Sequence, residues 1–248
     1  MEIGVSGASG HLGRAVVSEL LQRAGGHEVV AITRTPETVS GSAHARFGDY
    51  DQPESLAEAY AGLDRLLIIT TVAPEPGKRG AQNVAAIDAA VKAGVKHIVF
   101  ISAVGTRQEE EPALGQGVLA GLAENRAAFV ARDDVAAAAA GILIGDGHAG
   151  AIYNATGPER LSGAERAGII AETTGRPLVF RVITEQQLRV GLTQAGLPAG
   201  AVDIVTGIQV SFAAGVFDIV TGDVERLGGR PPKRLRDVLA GALKSPSA

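Results

Sequence analysis

Three glycines stand three residues apart near the start of the chain, in the stretch VSGASGHLGRAVVSELL from Val5 to Leu21. Gly7, Gly10 and Gly13 follow a short apolar run and open onto a helical pattern. Glycine lets the backbone adopt positive φ and approach a ligand closely. A helix N-terminus offers N–H groups and a partial positive charge to a phosphate. A tight turn with close helix–strand packing would use the same triplet, so the glycines alone leave both interpretations open.

The elements around the triplet favour phosphate binding. Ile3–Ser6 has the composition of a strand, and helix-spaced apolar residues follow the glycines up to Gly25-Gly26. A glycine turn between the first strand and first helix of a βαβ unit is typical of dinucleotide-binding domains. The sequence therefore predicts that this loop binds the pyrophosphate of a dinucleotide.

The end of the second predicted strand indicates which dinucleotide is bound. An acidic residue at that point would bond the adenosine ribose, as NAD requires. Here Thr33 is followed by Arg34, and the first acid is Glu37. A guanidinium can hold a 2′-phosphate with two hydrogen bonds, so the sequence favours NADP(H). The alternative for Arg34 is a solvated surface arginine.

Polar residues also follow the next two predicted strands. Asp49 and Tyr50 come after the third strand and are candidates to flank the adenine. Thr70 and Thr71 come after the fourth strand and are candidates for the ribose and nicotinamide side. Ordinary hydrogen bonding at a strand end would explain the two threonines equally well.

Apolar runs and helical patterns alternate along about the first 100 residues. The predicted strands are Ile3–Ser6, EVVAIT, ARF, RLLIITT and KHIVFISAVG. Continuous apolar strands alternating with helices predict an α/β fold with a doubly wound parallel sheet. After Gly105 the alternation is lost, although a helix in RDDVAAAAAGIL and a strand in AIYNATG are predicted. We expect residues 1–157 to form the nucleotide-binding domain and 158–248 a small, mainly helical lobe.

The chemistry of two later motifs is open. Asp133 and Asp134 fall in the first turn of a predicted helix, where negative charge suits the helix dipole. A catalytic carboxylate pair is the alternative, but adjacent helical residues point about 100° apart. Asn125 and Arg126 are candidates to border an active-site cleft, with a solvated loop as the alternative.

Composition excludes several classes of protein. The 248 residues carry 23 basic and 27 acidic side chains without a long block of one sign, so nucleic-acid binding is not expected. There is no cysteine, and the five histidines lack metal-ligand spacing, so we expect no metal site. The N-terminus has no signal-peptide pattern, and no apolar run approaches a membrane span. A soluble cytoplasmic protein is predicted.

Seven motifs together give the chain a family resemblance. They are GASGHLG, AITRTPE, GDYDQPESL, AAVKAGVKHIVFIS, ARDDVAAAAAGIL, YNATGPERLS and DVERLGGRPP. The chain resembles the NmrA-like branch of the atypical short-chain dehydrogenase/reductases, and within it the quinone oxidoreductase 2 and triphenylmethane reductase group. The resemblance implies a Rossmann-type NADP(H)-binding domain, a small C-terminal lobe and an active-site cleft between them.

The resemblance also assigns site residues by motif. The phosphate loop is Gly7 to Gly13, which includes Ser9, His11 and Leu12, and Arg34 is the residue that recognises the 2′-phosphate. The strand-four contact is Thr70-Thr71-Val72. Ser102 lies near the catalytic serine of typical family members, but it is predicted to hydrogen-bond cofactor or substrate instead.

Two departures from the family matter. Typical members use a Tyr-x-x-x-Lys pair for proton transfer, and none of the three tyrosines here has a lysine four residues later. No catalytic residue is therefore assigned. Secondly, a few dozen residues after the fifth strand are missing near Gln116-Gly117, where relatives have a helix, a further strand and a substrate loop. Either the protein has lost this loop, or this chain lacks a stretch of the natural protein.

The leading hypothesis is an NADPH-dependent reductase that transfers hydride to a small conjugated acceptor: a quinone, dye, imine or enone. The runner-up is a non-enzymatic NADP(H)-sensing regulator of the NmrA type, which would bind a partner protein. A non-redox enzyme such as an isomerase is a third hypothesis. The expected partners are a small-molecule substrate and, as one option, a second copy of the chain in a homodimer.

Overall fold

The computed structural model describes residues 1–23, 25–39, 41, 43–71, 73, 75, 77–102 and 117–244. The described residues form two compact units. Unit 1 takes residues from 1–102, 132–154 and 223–230, and unit 2 takes residues from 117–131, 155–222 and 231–244.

A five-stranded parallel sheet forms the centre of unit 1. Its strands are β1 (Glu2–Ser6), β2 (Glu28–Thr33), β3 (His44–Phe47), β4 (Arg65–Ile69) and β5 (His97–Ile101). They lie in the order β3-β2-β1-β4-β5, and every neighbouring pair is parallel. The predicted doubly wound parallel sheet is confirmed.

Helices cover both faces of this sheet. They are α1 (His11–Arg23), α2 (Ser55–Ala59), α3 (Lys78–Lys92) and α4 (Arg132–Ile144), with a 3-10 turn at Pro36–Thr38. One apolar core joins α1 and α4 to the sheet and includes Val16, Leu20 and Leu143. A second core on the other face joins α2 and α3 and includes Leu56 and Tyr60. Strands buried on both faces explain the unbroken apolar runs of the sequence.

Unit 2 is mainly helical. Its helices are α5 (Gly163–Thr174), α6 (Glu185–Gln194), α7 (Ala199–Ala213) and, beyond the return of the chain through unit 1, α9 (Leu235–Lys244). Two short strands, β6 (Val118–Gly121) and β7 (Val179–Val182), pair in parallel. A small core of Leu119, Ile170 and Leu178 holds α5 against these strands.

The chain returns to unit 1 late, which the sequence did not predict. Helix α8 (Asp223–Gly228) packs on α4, with Val224 buried against it. The guanidinium of Arg23 donates to the carbonyl oxygens of Ala137 (3.2 Å) and Gly228 (2.8 Å), which ties α1, α4 and α8 together. The two units are therefore interleaved in sequence and do not divide at a single position near residue 157.

Two local predictions differ from the structure. The stretch AIYNATG, predicted as a strand, has no sheet partner among the residues that the structure describes, and Ile152 is 90% exposed. Its polar groups bond elsewhere, since the Asn154 N–H donates to the Asp223 carboxylate at 2.9 Å. Conversely, β6 lies in a region where the sequence showed no clear strand. In the part of the chain that the structure describes, no helix has the length and apolar character needed to cross a membrane.

Candidate functional site: a dinucleotide cradle at the carboxyl edge of the sheet

The predicted site residues follow the ends of all five strands of the sheet in unit 1. The residues that follow β1 to β5 in turn are Gly7, Arg34, Asp49, Thr70 and Ser102. Because parallel strands end at the same edge, the fold gathers these residues along one edge of the sheet. Strand β1 lies at its centre, between β2 and β4, which is where doubly wound sheets bind ligands.

The glycine turn has a conformation that requires glycine at its first position. Gly7 has a φ of +91°, a left-handed value that strains any other residue. The N–H groups of Gly7 and Ala8 donate to the carbonyl oxygen of Ile32, at 3.0 and 3.1 Å. The turn is thus anchored to the end of β2, and this hydrogen bonding fixes the point where α1 begins.

Gly13 serves close packing. A Cβ at this position would overlap the carbonyl oxygen of Gly7 and lie 2.7 Å from the Cα of Ala8, which a real side chain cannot do. At Gly10 a Cβ would have only one neighbour, the Gly7 carbonyl oxygen at 3.4 Å. Gly7 and Gly13 therefore serve the tight turn and close packing, and exposed Gly10 leaves space beside the turn. Phosphate binding by this loop stays a prediction.

The N-terminus of α1 presents backbone N–H groups at the glycine turn. His11, Leu12 and Gly13 form the first turn, and their N–H groups precede the first intrahelical bond, from Arg14 N to Gly10 O at 2.9 Å. The Leu12 side chain packs on the core, while His11 is exposed. The Arg14 side chain folds back to the Ser9 carbonyl oxygen. A positive end, free backbone donors and the absence of a Cβ at Gly10 fit a pyrophosphate group.

Arg34 is exposed directly after β2, as predicted. The preceding residue, Thr33, is buried, and its hydroxyl accepts a hydrogen bond from the N–H of Thr35 at 3.2 Å. The Thr38 hydroxyl donates to the Thr35 carbonyl oxygen at 2.8 Å, which holds the 3-10 turn. The hydrogen bonds of Thr33, Thr35 and Thr38 fix the backbone on either side of Arg34. The Arg34 side chain is exposed to solvent at the edge of the sheet.

The structure places Asp49 and Tyr50 at the edge but turns their polar atoms inward. The Asp49 carboxylate accepts from the N–H of Asp51 (3.0 Å) and from the Gln52 amide (3.4 Å), so it holds its own loop. The Tyr50 hydroxyl oxygen is buried beside Ser6 and Tyr60. The partly buried ring of Tyr50 is what is left to flank an adenine.

Burial keeps both of these phenols protonated. It raises the pKa of Tyr50 to about 12, and it raises that of Tyr60 even further, aided by the neighbouring Tyr50. Ser6 and Tyr60 are joined by a hydrogen bond of 3.0 Å between their hydroxyl oxygens. Neither phenol can therefore supply a phenolate near neutral pH.

The third tyrosine lies at the opposite edge of the sheet. Tyr153 Oη is 2.8 Å from His148 Nδ1, and His148 acts on the pKa of His97, the first residue of β5. The edge where β5 begins is opposite to the edge where it ends, so Tyr153 is remote from the glycine turn.

Thr70 and Thr71 are tied to α3. Arg79 donates to the Thr70 hydroxyl at 3.5 Å, and the Thr71 hydroxyl donates to the side-chain oxygen of Gln82. Gln82 is 7% exposed and was not identified from the sequence, because it lies mid-helix in an alanine-rich run without a motif. Gln82 follows Lys78 by four positions on α3, and this spacing is the one sequence signal that could have placed the two side chains on one face of the helix.

Asp51 is the other residue that sequence reasoning missed. Its carboxylate accepts from the Gln82 amide at 2.8 Å and pairs with the Lys78 ammonium at 3.1 Å. The hydrogen bond with Lys78, followed by that with Gln82, lowers the pKa of Asp51, and the Arg34 charge contributes. Lys78 and Gln82 of α3 thus fix the position of the Asp51 carboxylate, which also interacts electrostatically with Arg34, the residue that follows β2.

Three further residues from the sequence analysis add less. Ser102 is exposed at the end of β5, consistent with contact to a bound molecule. Val72 lies outside the described residues. Asp134 is 1% exposed, with its carboxylate 3.9 Å from the Arg230 guanidinium, so the helix-capping and packing interpretation fits it better than a catalytic pair.

A comparison with known proteins identifies the family of the chain. Residues 7–138, more than half of its 248 residues, match the model of the NAD(P)H-binding family. This chain belongs to the NAD(P)H-binding family. The match begins at the first glycine of the turn, directly after β1, and runs into α4, so it covers the glycine turn and the four strands β2 to β5.

Full-length relatives of this NAD(P)H-binding protein are named oxidoreductases. Quinone oxidoreductase 2 of Escherichia coli is 26% identical over an alignment that spans 95% of this chain and 96% of the relative. The NAD(P)H azoreductase of Xenophilus azovorans is 27% identical, with 75% and 78% covered. Triphenylmethane reductase of Citrobacter sp. superposes with a TM-score of 0.85 at 25% identity, covering 99% of this chain and 100% of that one. The NADPH complex of E. coli quinone oxidoreductase 2 has the same fold, with a TM-score of 0.87 at 24% identity.

The alignment with quinone oxidoreductase 2 is longer than this chain. It runs over 277 positions, whereas this chain has 248 residues, so at least 29 positions of the relative have no counterpart here. A deficit of this size agrees with the few dozen missing residues expected from the motifs. Its predicted location, near Gln116-Gly117, stays a prediction.

Proposed function

We propose that this chain is an NADPH-dependent reductase that transfers hydride to a small conjugated acceptor such as a quinone, an azo or triphenylmethane dye, an imine or an enone. The observation that carries the proposal is the carboxyl edge of unit 1. There a glycine turn, a helix N-terminus and the cation Arg34 stand in the order that pyrophosphate and 2′-phosphate require. The named activities of the relatives supply the acceptor class.

Different residues of the carboxyl edge bind different parts of the cofactor. Backbone donors from Gly7 to Gly13, including Ser9, His11 and Leu12, hold the pyrophosphate. Arg34 binds the 2′-phosphate with a charge-assisted hydrogen bond, and the Tyr50 ring lies against the adenine. Thr70 and Thr71, followed by Val72 and Ser102, line the ribose and nicotinamide side.

Bound NADPH supplies the hydride, and the protein contributes mainly binding and orientation. The sequence lacks a Tyr-x-x-x-Lys pair, and burial raises the pKa of the Tyr50 and Tyr60 phenols, which makes both of them weak proton donors. We therefore assign no tyrosine as proton donor. Quinones and dyes suit such a site because the reduced acceptor can take its proton from water.

The decisive experiment follows NADPH oxidation at the absorbance band of reduced nicotinamide. The purified chain is offered a quinone, an azo dye, a triphenylmethane dye and an enone, each with NADPH or with NADH. We expect acceptor-dependent oxidation that is faster with NADPH. Tight NADPH binding without oxidation by any acceptor would contradict reductase activity.

A second candidate is a non-enzymatic NADP(H)-sensing regulator. The missing Tyr-x-x-x-Lys pair and the deficit against quinone oxidoreductase 2 favour it. Such a protein would capture a stoichiometric partner only when cofactor is present. An affinity pulldown with NADP⁺, NADPH and no cofactor separates this candidate from the reductase.

Two further expectations belong to this proposal. The protein acts in the cytoplasm on a small molecule, and it forms a homodimer. Sedimentation equilibrium tests the second expectation, since a homodimer has twice the chain mass of 25.2 kDa.

A further inference from the structure

Gln82 joins two of the loops that form the proposed cofactor site. Its side-chain oxygen accepts from the Thr71 hydroxyl after β4, and its amide nitrogen donates to the Asp51 carboxylate at 2.8 Å. In the sheet, β4 is separated from β3 by β1 and β2, so the loops after these strands have no shared backbone ladder. One buried side chain on α3 thus connects the loops that follow β3 and β4, on either side of the central strand β1.

The chemistry of these contacts requires an amide. Gln82 acts as an acceptor toward Thr71 and as a donor toward Asp51 at the same time. Glutamate at this length would only accept, and methionine would do neither to any useful extent. Replacing the amide therefore breaks at least one contact without removing much volume.

Lys78 completes the arrangement one helical turn earlier. Its ammonium is 3.1 Å from the same Asp51 carboxylate, and the Arg34 charge also acts on Asp51. A carboxylate near a 2′-phosphate would repel it unless its charge is balanced. Lys78 and Gln82 hold the Asp51 carboxylate in place. They thereby fix the electrostatic potential that its charge creates at Arg34.

We propose that Gln82 is a positioning residue of the NADP(H) site, which holds the Thr71 hydroxyl and the Asp51 carboxylate in the places that cofactor binding needs. The inference rests on the proposed function, because Thr71 and Arg34 are its assumed cofactor contacts. Gln82 itself touches no cofactor and acts through these two loops.

The test measures cofactor affinity separately from folding. The dissociation constants for NADPH and NADH are determined by nicotinamide fluorescence titration, and the melting midpoint of the cofactor-free protein by circular dichroism. For Gln82→Met we expect the NADPH dissociation constant to rise about tenfold, with a small change in melting midpoint. The reason is that the hydrogen bonds of Gln82 to Thr71 and Asp51 are both lost. Gln22→Met, at an exposed glutamine on α1, is the matched control and should leave the affinity unchanged.

Two further variants separate positioning from a structural role. Thr71→Val combined with Gln82→Met should cost little more than Gln82→Met alone, because residues acting through one contact are not additive. Gln82→Glu places a second carboxylate against Asp51 and should weaken NADPH binding. Adding Asp51→Asn should then restore it, since the new amide donates to the new carboxylate.

The outcomes are distinct. A dissociation constant for Gln82→Met within twofold of the wild type, or a fall in melting midpoint without loss of affinity, overturns the positioning role. Failure of Asp51→Asn to rescue Gln82→Glu overturns it as well, even if Gln82→Met folds poorly. If the wild-type chain binds neither NADPH nor NADH, the proposed function itself fails, and this inference with it.

Discussion

At the scale of single residues, the site depends on what each side chain can do at its place on the sheet edge. Arg34 is predicted from its type and position alone, and the structure leaves it exposed directly after β2. Asp49 and Tyr50 were found by position too, but their polar atoms serve the loop and the core. The direction of a side chain depends on its neighbours in space, which a local pattern does not contain.

Replacing Arg34 tests cofactor choice. Arg34→Ala should raise the NADPH dissociation constant roughly tenfold to a hundredfold, the range expected for a lost charge-assisted hydrogen bond, and leave NADH nearly unchanged. Fluorescence titration with both cofactors measures the ratio. Arg176→Ala, at an exposed arginine of unit 2, is the control. An equal loss for both cofactors would contradict a role in reading the 2′-phosphate.

At the scale of elements, α1 is placed by a glycine contact. The Gly13→Ala Cβ would collide with the Gly7 carbonyl, so α1 must shift away from the turn. Overpacking of this kind costs about 1–3 kcal/mol. We expect a lower melting midpoint and a similar loss of affinity for NADPH and NADH, because the pyrophosphate is common to both.

The control for this change lies just beyond the other end of α1, which ends at Arg23. A Cβ at Gly25 meets nothing within 4 Å, and its φ is not positive, so Gly25→Ala should be tolerated. If Gly13→Ala bound both cofactors as tightly as the wild type, close packing of α1 on the turn would not matter for the site.

Helix α5 carries a capping box that links stability to pH. The Ser162 hydroxyl accepts from the Glu165 N–H, and the Glu165 carboxylate accepts from the Ser162 N–H at 2.8 Å. These bonds lower the pKa of Glu165, so their contribution is present above its unfolded pKa and is lost as pH falls through the folded pKa. Glu165→Gln should therefore have a lower melting midpoint than the wild type at pH 7. The difference should shrink below about pH 4, where the wild-type carboxylate becomes protonated.

Removing the other half of the box gives an independent check. Ser162→Ala should destabilise unit 2 by about 1 kcal/mol, the usual cost of losing an N-cap side chain. Hydrogen exchange of the α5 amides measures this change locally. Unchanged protection in the first turn would mean that the cap is not formed in solution.

At the scale of the whole molecule, the chain enters unit 1 three times. Segments 132–154 and 223–230 return to it after unit 2 has begun, and α8 buries Val224 against α4. A fragment of residues 1–157, the nucleotide-binding domain expected from the sequence, lacks α8 and exposes the α4 surface that α8 covers.

We expect this fragment to unfold at a lower temperature and with less cooperativity than the full chain. The physical reason is the loss of apolar burial and of the Arg23 bond to Gly228. Circular dichroism melting measures it, and Val224→Ala in the full chain should cause a smaller loss of the same kind. A fragment that melted like the full chain would show that α8 is dispensable for unit 1.

The sequence by itself determined the parallel sheet, the glycine turn, the cation after β2 and the missing Tyr-x-x-x-Lys pair. These features are local: period, composition and short spacings reveal them without knowledge of distant contacts. Only the tertiary structure decided that Gln82 joins Thr71 to Asp51, that the Tyr50 hydroxyl is buried, and that α8 completes unit 1. Each of these depends on residues brought together across the sheet or from the far end of the chain, and packing in three dimensions alone selects such partners.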